Sequence, residues 1–276
     1  MSEFDSWIGK SQSVVDVLEP ARSNALSVAL GGDGALKAGE ELPLLHHWLY
    51  FWDVKPPQGL GTDGHPAKGG FLPPVALPRR MWAGGRLTFL KPLHVGDTVT
   101  KTSTILSVTE KTGRSGTLVF VTVQHELDAG DGVAIREEQD LVYREPAAGS
   151  LPAPVAGPAP AAAWAETLDP NSVLLFRYSA LTMNGHRIHY DRPYAIEEEA
   201  YPALVVHGPL QATLLIDLAA RKLSAPITGF DFRGEKPAFD GAPLHVCGDV
   251  TDDGAEVWTQ QGEARNMVAT VRTTAV

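Results

Sequence analysis

The sequence carries one layout twice, and this duplication constrains the fold more than any other feature. In the second half, a helix-like stretch at 207–222 precedes three segments in which apolar residues alternate with polar ones. Lys236 and Gly241 stand between the helix and those segments, and Lys91 and Gly96 repeat the same spacing in the first half. Such alternation is typical of half-buried antiparallel strands. We therefore predict an α+β protein with two similar halves.

A stretch rich in proline and alanine divides the two halves. Five prolines lie between residues 146 and 163, and proline at this density favours a semi-extended linker over a helix or a strand. We therefore place the first half at 1–145, the linker at 146–165 and the second half at 166–276.

Charge and cysteine content argue against several classes of protein. The chain of 276 residues has a formal net charge of −10, whereas proteins that bind nucleic acid or anionic membranes need a basic face. A single cysteine, Cys247, permits neither an internal disulfide nor a cysteine-based zinc site. The acidic N-terminus is unlike a signal or transit peptide, and no apolar run is long enough to span a bilayer. These features predict a cytoplasmic protein without nucleic-acid or membrane partners.

A glycine-rich stretch at 59–64 spells GxGxxG, a pattern that dinucleotide-binding proteins place between a strand and a helix. Here Lys55-Pro56-Pro57 precedes the pattern and Pro66 follows it, and these prolines disfavour both flanking elements. The stretch is therefore predicted to be a loop, which can cover a pocket, and not a dinucleotide site.

The densest group of proton-handling side chains lies between residues 176 and 191. It comprises Tyr178, Ser179, Thr182, Asn184, His186, Arg187, His189, Tyr190 and Asp191. A strand over 174–176 is predicted to lead into it. Histidine exchanges protons near neutral pH, and a bend into a helical turn would bring Asn184 and His189 together around one water molecule. The simpler alternative is a set of hydrogen-bonded polar residues at a corner of the fold.

This group resembles the hydratase motif Asp-x-Asn-Pro-Leu-His-x-Asp of the MaoC-like, (R)-specific enoyl-CoA hydratase family. Asn184 stands at the first aspartate of that motif, His186 at its asparagine and His189 at its histidine. Asp191 matches the trailing aspartate. The sequence departs from the motif twice, because an amide replaces the first carboxylate and Arg187 replaces the proline.

A second string narrows the resemblance to one subgroup. Residues 77–85 read Leu-Pro-Arg-Arg-Met-Trp-Ala-Gly-Gly, which is similar to the subgroup of mesaconyl-C4-CoA hydratase, itaconyl-CoA hydratases and mitochondrial 3-hydroxyacyl-thioester dehydratases. The resemblance implies a double hotdog fold, in which antiparallel sheets wrap around a central helix. Prolines between 72 and 78 disfavour a long helix in the first half. Its central helix is therefore expected to be shortened, which leaves space for an acyl chain or a bulky acid.

The resemblance also implies a hydro-lyase that adds water to a 2-enoyl-CoA thioester or removes it, with no metal and no cofactor apart from the CoA of the substrate. His189 would act as general acid and base, and Asn184 would orient the water. Three neighbours in the motif would support them: His186, Tyr190 and Asp191. The backbone N–H of Gly208, at a helix N-terminus, would stabilise the thioester oxygen, and a glycine that merely permits close packing is an equal alternative.

Coenzyme A is polyanionic, so an acidic protein needs a local basic patch to bind it. Arg233 and Lys236 in the second half and Arg86 and Lys91 in the first half are the candidates. Arg79 and Arg80 lie near the expected cavity, where a short substrate with a second carboxylate would require a cation. For each of these residues taken alone, surface solubility is the better explanation.

Two other functions fit the same fold. A hotdog thioesterase would release free CoA, but such hydrolases rely on a carboxylate at the central helix, and the stretch at 207–222 offers only Asp217, far from its start. A non-catalytic acyl-CoA-binding protein would explain the amide at Asn184. The acyl chain and the oligomeric state, including a homodimer, stay open at this point.

Overall fold

The computed structural model describes residues 3–113, 116–145 and 151–274, and its strands form one continuous antiparallel sheet of ten strands. The first half contributes β1 (Ser11–Val17), α1 (Pro20–Ala29), β2 (Arg79–Phe89), β3 (Thr98–Gly113), β4 (Gly116–Asp128) and β5 (Val133–Arg144). The second half contributes β6 (Trp164–Leu168), α2 (Ser172–Leu181), α3 (Gly208–Lys222), β7 (Ile227–Gly234), β8 (Leu244–Thr251), β9 (Gly254–Gln261) and β10 (Ala264–Thr273). The strand order is β1-β3-β4-β5-β2-β7-β10-β9-β8-β6. Each half therefore supplies five neighbouring strands.

The two halves meet where β2 pairs with β7, and two glycines permit this contact. Gly85 pairs with Phe232 across the joint. A Cβ atom on Gly85 would lie 2.9 Å from the Phe232 ring, and one on Gly84 would lie 2.5 Å from the Phe232 carbonyl oxygen. Side chains at these positions would push the strands apart, so Gly84 and Gly85 keep the sheet continuous.

The central helix of the second half is α3, as the sequence predicts. Pro209 fits its first turn because the N–H groups there have no partner within the helix. Leu210, Leu215 and Leu218 are completely buried, and α3 packs against β7 to β10. Burial of each leucine contributes about 2 kcal/mol. No helix in the described part of the chain, α3 included, is long and apolar enough to cross a membrane.

The first half has an irregular segment where the second half has α3. No α-helix lies between residues 60 and 78, all of which the structure describes. Leu72, Val75 and Leu77 pack instead with Tyr143 of β5 in an apolar cluster. The prolines of this segment remove helical hydrogen bonds. The first central helix, which was expected to be shortened, is therefore absent from this segment.

The strand predicted over 174–176 is wrong, because these residues lie in α2. Asn171 caps that helix, and its Oδ1 accepts hydrogen bonds from the N–H groups of Val173 and Leu174, both at 3.1 Å. A run of three apolar residues fits either a strand or a helix, and here the cap favours the helix.

The strand of this region is β6, which begins two residues inside the predicted linker at Trp164. Residues 151–163 form neither helix nor strand, and residues 146–150 of the predicted linker lie outside the described residues. The predicted boundaries of the two halves therefore stay a prediction.

Candidate active site

A bend directly after α2 positions the hydratase-like motif. The helix ends at Leu181, and Met183 adopts a left-handed conformation with φ of 50°. The N–H of Asn184 then donates to the carbonyl oxygen of Ser179 at 2.8 Å. Arg187–His189 follows as a short 3-10 turn. The chain thus makes the turn that the sequence predicts, although it enters from a helix.

Four imidazole rings lie in a row across the site, and we call them the histidine row: His65, His186, His189 and His207. The ring centroids of His65 and His186 are 4.3 Å apart, and those of His186 and His189 are 5.4 Å apart. His189 and His207 stack at 3.7 Å with their planes 18° apart. His65 belongs to the loop before β2, and His207 is the N-cap residue of α3. The histidine row therefore joins the two halves at the motif.

His189 is held as a neutral base. Its Nδ1 lies 2.7 Å from the carbonyl oxygen of Val205. Because a carbonyl oxygen only accepts, Nδ1 carries the proton and Nε2 carries the free lone pair. Burial lowers the pKa of His189 to about 4, although the hydrogen bond to Val205 opposes this shift. The ring is therefore uncharged at neutral pH, and Nε2 can accept a proton from water.

Asn184 lines a cavity of about 280 Å³ that is shared by both halves. Its Oδ1 accepts a hydrogen bond from the backbone N–H of His186 at 3.0 Å, so its NH₂ group and its second lone pair on Oδ1 remain available for water. His189 is buried and is not among the residues that line this cavity. His186 contacts both candidate catalytic residues: its backbone N–H donates to Asn184, and its ring lies against the ring of His189.

Gly208 is the first residue of α3, and no side chain caps this helix. Its N–H has no hydrogen-bond partner among the described residues, as is usual for the first turn of a helix. Pro209, which follows directly, lines the same cavity as Asn184. The N–H of Gly208 is thus a free donor close to that cavity, in the place where the sequence predicts an oxyanion donor.

Tyr190 and Asp191 hold the turn in shape. Asp191 forms an ion pair with Arg187 at 2.8 Å, and the hydroxyl of Tyr190 donates to the carbonyl of Gly185 at 2.8 Å. The Tyr190 side chain is 43 % exposed. These contacts fix the backbone between Asn184 and His189, whereas His186 contacts the His189 ring directly.

The glycine-rich loop of the first half lies on the motif. The N–H of Arg187 donates to the carbonyl of Asp63 at 2.9 Å, and its guanidinium donates to the carbonyl of Thr62 at 3.1 Å. Gly64 has φ of 86° and lies so close to Gly185 that a Cβ atom would overlap the Gly185 carbonyl oxygen. The stretch is a loop, as predicted, and it carries His65 into the site.

The first half contributes charged side chains to the lining of the cavity. Glu137 is 3 % exposed and accepts hydrogen bonds from Nε2 of His47 at 3.2 Å and Nε1 of Trp48 at 3.0 Å. Burial raises the pKa of Glu137, but these hydrogen bonds and the nearby imidazoles outweigh it, so the pKa lies below its usual range. Burial lowers the pKa of Lys101, which also lines the cavity and pairs with no carboxylate among the described residues.

Ion pairs occupy four of the six basic residues that the sequence nominates for CoA or for a second carboxylate. Arg79 pairs with Glu199 at 2.9 Å and Arg233 with Glu235 at 2.8 Å. Arg86 pairs with Glu138 and Asp140, and Lys91 pairs with Asp131. Within the described residues, Arg80 and Lys236 pair with no carboxylate. Arg80 is half-buried and, after burial itself, its charge contributes to lowering the pKa of His65 and of His186, whereas Lys236 is exposed on the surface.

One group of side chains in the described part of the chain could hold a metal ion. The ligand atoms of Asp63, His65 and His186 lie within 4.8 Å of one another. Burial, followed by the charge of Arg80, lowers the pKa of His65 to about 3. The same positive charge would oppose a divalent cation. The expectation that the protein needs neither metal nor cofactor stays a prediction.

His65 and His207 are residues of the site that the sequence motif does not predict. His65 is distant in sequence from the motif and reaches it only through the packing of the loop. The prediction that this loop can cover a pocket was the one available signal. His207 directly precedes Gly208, and a histidine at the N-terminus of the central helix was a signal that could have been used.

Comparison with known proteins assigns the chain to a family. The sequence profile described as hydroxyacyl-thioester dehydratase type 2 matches residues 45–240. The chain belongs to this family. Mesaconyl-C(4)-CoA hydratase of Chloroflexus aurantiacus is 46 % identical over 261 residues, which cover 94 % of the chain and 93 % of that protein. The mitochondrial hydroxyacyl-thioester dehydratase type 2 of Schizosaccharomyces pombe is 28 % identical and covers 86 % of the chain and 87 % of its own length.

Solved structures of the same architecture confirm the double hotdog fold. HtdX of Mycobacterium tuberculosis superposes with a TM-score of 0.68 at 19 % identity and covers 95 % of the chain and 99 % of its own. A MaoC-like dehydratase gives a TM-score of 0.69 at 14 % identity, and the match covers 98 % of the chain and 99 % of that protein. A further M. tuberculosis protein, described as a double hotdog, gives 0.52 at 15 % identity and covers 96 % of each chain.

The family confirms the predicted reaction class. As a member of the hydroxyacyl-thioester dehydratase type 2 family, the protein is a hydro-lyase, an acyl-CoA hydratase/dehydratase. The roles assigned to individual residues, the homodimer and the cytoplasmic location stay predictions.

Proposed function

We propose that this hydro-lyase adds water to a short 2-enoyl-CoA whose acyl group carries a second carboxylate, with mesaconyl-C4-CoA as the first candidate. The hydrogen bond from Nδ1 of His189 to Val205 carries the catalytic part of the proposal, because it leaves Nε2 of this motif residue as a free base. The name of the relative from Chloroflexus aurantiacus supports the dicarboxylic substrate.

The shared cavity supports a short acyl group. Its lining includes Glu137 and Lys101. A long apolar chain would remove water from these charged groups without offering hydrogen bonds, which is costly. A short acyl group that ends in polar atoms avoids this cost.

In the proposed mechanism His189 moves the proton. Nε2 removes a proton from water held by Asn184 while the water oxygen bonds to the β-carbon of the substrate. Negative charge then collects on the thioester oxygen, where the N–H of Gly208 donates a hydrogen bond. The imidazolium returns the proton to the α-carbon, so hydroxyl and hydrogen are added across the double bond without a redox step. Since the amide of Asn184 cannot accept a proton, His189 performs both transfers.

The test follows the loss of enoyl absorbance when purified protein is mixed with mesaconyl-C4-CoA, itaconyl-CoA or crotonyl-CoA. The wild type is expected to hydrate at least one dicarboxylic substrate, and His189→Ala to lower kcat by at least about 1,000-fold. His94→Ala is the matched control, because His94 lies outside the histidine row and its side chain is partly exposed, at 41 %.

Three results would contradict the proposal. Full activity of His189→Ala would exclude this base. Release of free CoA without loss of the double bond would show a thioesterase. Binding of the thioesters without turnover, together with activity gained in Asn184→Asp, would show that the native chain is a binding protein.

A further inference from the structure

One lysine of the first half lines the cavity, and we infer that its ammonium binds the second carboxylate of the substrate. This residue is Lys101 of β3, which shares the lining of the cavity with Asn184 of the motif. The inference rests on the proposed function, because only a dicarboxylic acyl group presents an anion there. It gives the first half, which lacks the motif, a direct part in substrate selection.

Lys101 lies on the core side of the sheet. Val99 and Ile105 of the same strand are completely buried. Since alternate residues of a strand share one face, Lys101 and Ser103 lie on the same face as these two. A lysine at such a position is uncommon, because burial of an ammonium costs free energy unless an anion or hydrogen-bond acceptors compensate. The strand therefore places a charge where packing alone would favour an apolar side chain.

The ammonium of Lys101 has no ion-pair partner and no hydrogen-bond acceptor among the described residues. It lies 5.1 Å from the centroid of the Phe51 ring, whose face attracts a cation but offers no acceptor oxygen. The lysine is half-buried. A partly desolvated ammonium without an acceptor favours binding of an anion.

Two carboxylates are among the described residues that line the cavity, and both are held by other groups. Glu137 accepts hydrogen bonds from Nε2 of His47 at 3.2 Å and Nε1 of Trp48 at 3.0 Å, and Asp53 pairs with Lys55 at 2.6 Å. Burial lowers the pKa of the lysine of β3, and the charges of these two carboxylates oppose that shift. They therefore favour its charged form from beyond ion-pair distance and leave its N–H groups free for a ligand.

Gln139 of β5 offers a second donor in the same lining. Its Oε1 lies 3.3 Å from Nε2 of His125, so the oxygen of this amide is occupied. The NH₂ group of Gln139 has no partner among the described residues. Lys101 and Gln139 thus both present unoccupied N–H groups, and a carboxylate, which only accepts hydrogen bonds, matches them.

The position of Lys101 suits a short dicarboxylic substrate. In mesaconyl-C4-CoA the second carboxylate is bonded to the β-carbon, the atom that water attacks. The group that binds this carboxylate must therefore share one cavity with the residue that holds the water, and Lys101 and Asn184 line the same cavity of about 280 Å³. Arg79 and Arg80, which the sequence nominates for this carboxylate, are not among the residues that line it.

The experiment compares kcat/KM for mesaconyl-C4-CoA with kcat/KM for crotonyl-CoA, which lacks the second carboxylate. Lys101→Met removes the charge and keeps most of the side-chain volume. It is expected to lower the ratio of these two values at least about 30-fold, mainly through KM for mesaconyl-C4-CoA. Lys101→Arg keeps a cation and should retain more of the ratio than Lys101→Met. An unchanged ratio in Lys101→Met would overturn the inference.

Lys111→Met is the matched control. Lys111 belongs to the same strand, and its ammonium also lies 5.1 Å from the centroid of an aromatic ring, that of Phe120. It is exposed and is not among the residues that line the cavity. This variant should leave the ratio unchanged. An equal loss in Lys111→Met and Lys101→Met would overturn the inference, because it would show a general effect of positive charge.

A binding measurement separates the inference from the proposed function. In the His189→Ala background, calorimetry should show that Lys101→Met weakens binding of mesaconyl-C4-CoA about 30-fold. Binding of 3-methylcrotonyl-CoA, in which a methyl group replaces the second carboxylate, should weaken far less. Equal weakening of both thioesters would overturn the inference, because the lysine would then only support the shape of the cavity. A wild type that hydrates no enoyl-CoA but binds mesaconyl-C4-CoA through Lys101 would overturn the proposed function and leave the carboxylate site intact.

Discussion

At the residue scale, one serine holds both candidate catalytic side chains in place. The hydroxyl of Ser179 is hydrogen-bonded to Nε2 of His207 at 2.8 Å, and His207 stacks on His189. The carbonyl of the same serine accepts the N–H of Asn184 at 2.8 Å. The position of the base and the position of the amide therefore both depend on the last turn of α2.

Removal of the Ser179 hydroxyl should loosen this arrangement. In Ser179→Ala the buried His207 ring loses its one hydrogen bond, which costs about 1–3 kcal/mol of unfolding free energy. We expect kcat to fall about tenfold with KM changed less than about twofold, because the base is displaced and the substrate contacts remain. Steady-state kinetics and urea unfolding measure both effects.

Two variants control this test. Ser179→Thr retains a hydroxyl and should restore most of kcat. Ser13→Ala removes a hydroxyl from the exposed strand β1, where it contacts Thr102, and should change neither quantity. Equal kinetics for Ser179→Ala and Ser179→Thr would contradict the positioning role.

The acid limb of the pH profile should report the buried state of His189. Burial disfavours the imidazolium and lowers the pKa of this residue to about 4, so the active neutral form persists well below the usual value near 6.5. We expect kcat/KM to fall with a midpoint near pH 4, provided that circular dichroism shows a folded protein at each pH. A midpoint near 6.5 would mean that the ring is exposed to water.

At the element scale, the loop at 59–67 determines how the first half covers the motif. Gly64→Ala would place a Cβ atom against the carbonyl oxygen of Gly185. We expect the loop to move away from the motif, and kcat/KM to fall at least about tenfold as His65 leaves the histidine row. Faster proteolytic cleavage within the loop would measure the displacement.

Gly69→Ala is the matched control for this substitution. Gly69 has nearly the same φ, 87°, so both variants carry a similar backbone strain, but the nearest atom to a Cβ on Gly69 is Pro74 Cβ at 3.6 Å. Similar losses of activity in the two variants would mean that strain alone, without displacement from the motif, explains the effect.

Local signals in the sequence predict some elements and not others. The helix α1 follows from Pro20 in its first turn, with Glu19 as the cap that accepts the N–H of Ala21. The apolar run Leu174 to Phe176 contains no such signal within itself, and it was assigned to a strand. Contacts over long sequence separations, such as that between His65 and His186, depend on packing that no local pattern specifies.

The same distinction applies to the candidate site. The motif identifies Asn184, His186 and His189 because their spacing is local. It does not show which arginines are neutralised, since the ion pair between Arg79 and Glu199 joins residues that are far apart in the sequence.

At the scale of the whole molecule, the protein buries several neutral histidines, and this should make its stability depend on pH. Burial lowers the pKa of His46 to about 4 and of His189 to about 4, and it lowers the pKa of His207 well below its usual value. In the unfolded chain these rings have a pKa near 6.5. Below that pH the unfolded state binds more protons, so the folded state loses stability as the pH falls.

We expect the free energy of unfolding to decrease from pH 7 to pH 5 by more than about 1.4 kcal/mol per pH unit, the slope for a single group. Asp217 acts in the opposite direction, because burial raises its pKa to about 7, but one carboxyl offsets only one imidazole. Urea unfolding at pH 7, 6 and 5 measures the slope. A constant free energy over this range would show that these rings are solvated in the folded protein.

Because β7 pairs with β2, the catalytic half depends on the first half to complete its sheet. An isolated second half would present β7 with unpaired N–H and C=O groups to solvent, and such an edge pairs readily with another strand. It would also lack the loop that brings His65 to the motif. A free copy of this half would therefore have to recruit a second chain, both to close its sheet and to complete its site, whereas the covalent duplication supplies that companion within one polypeptide.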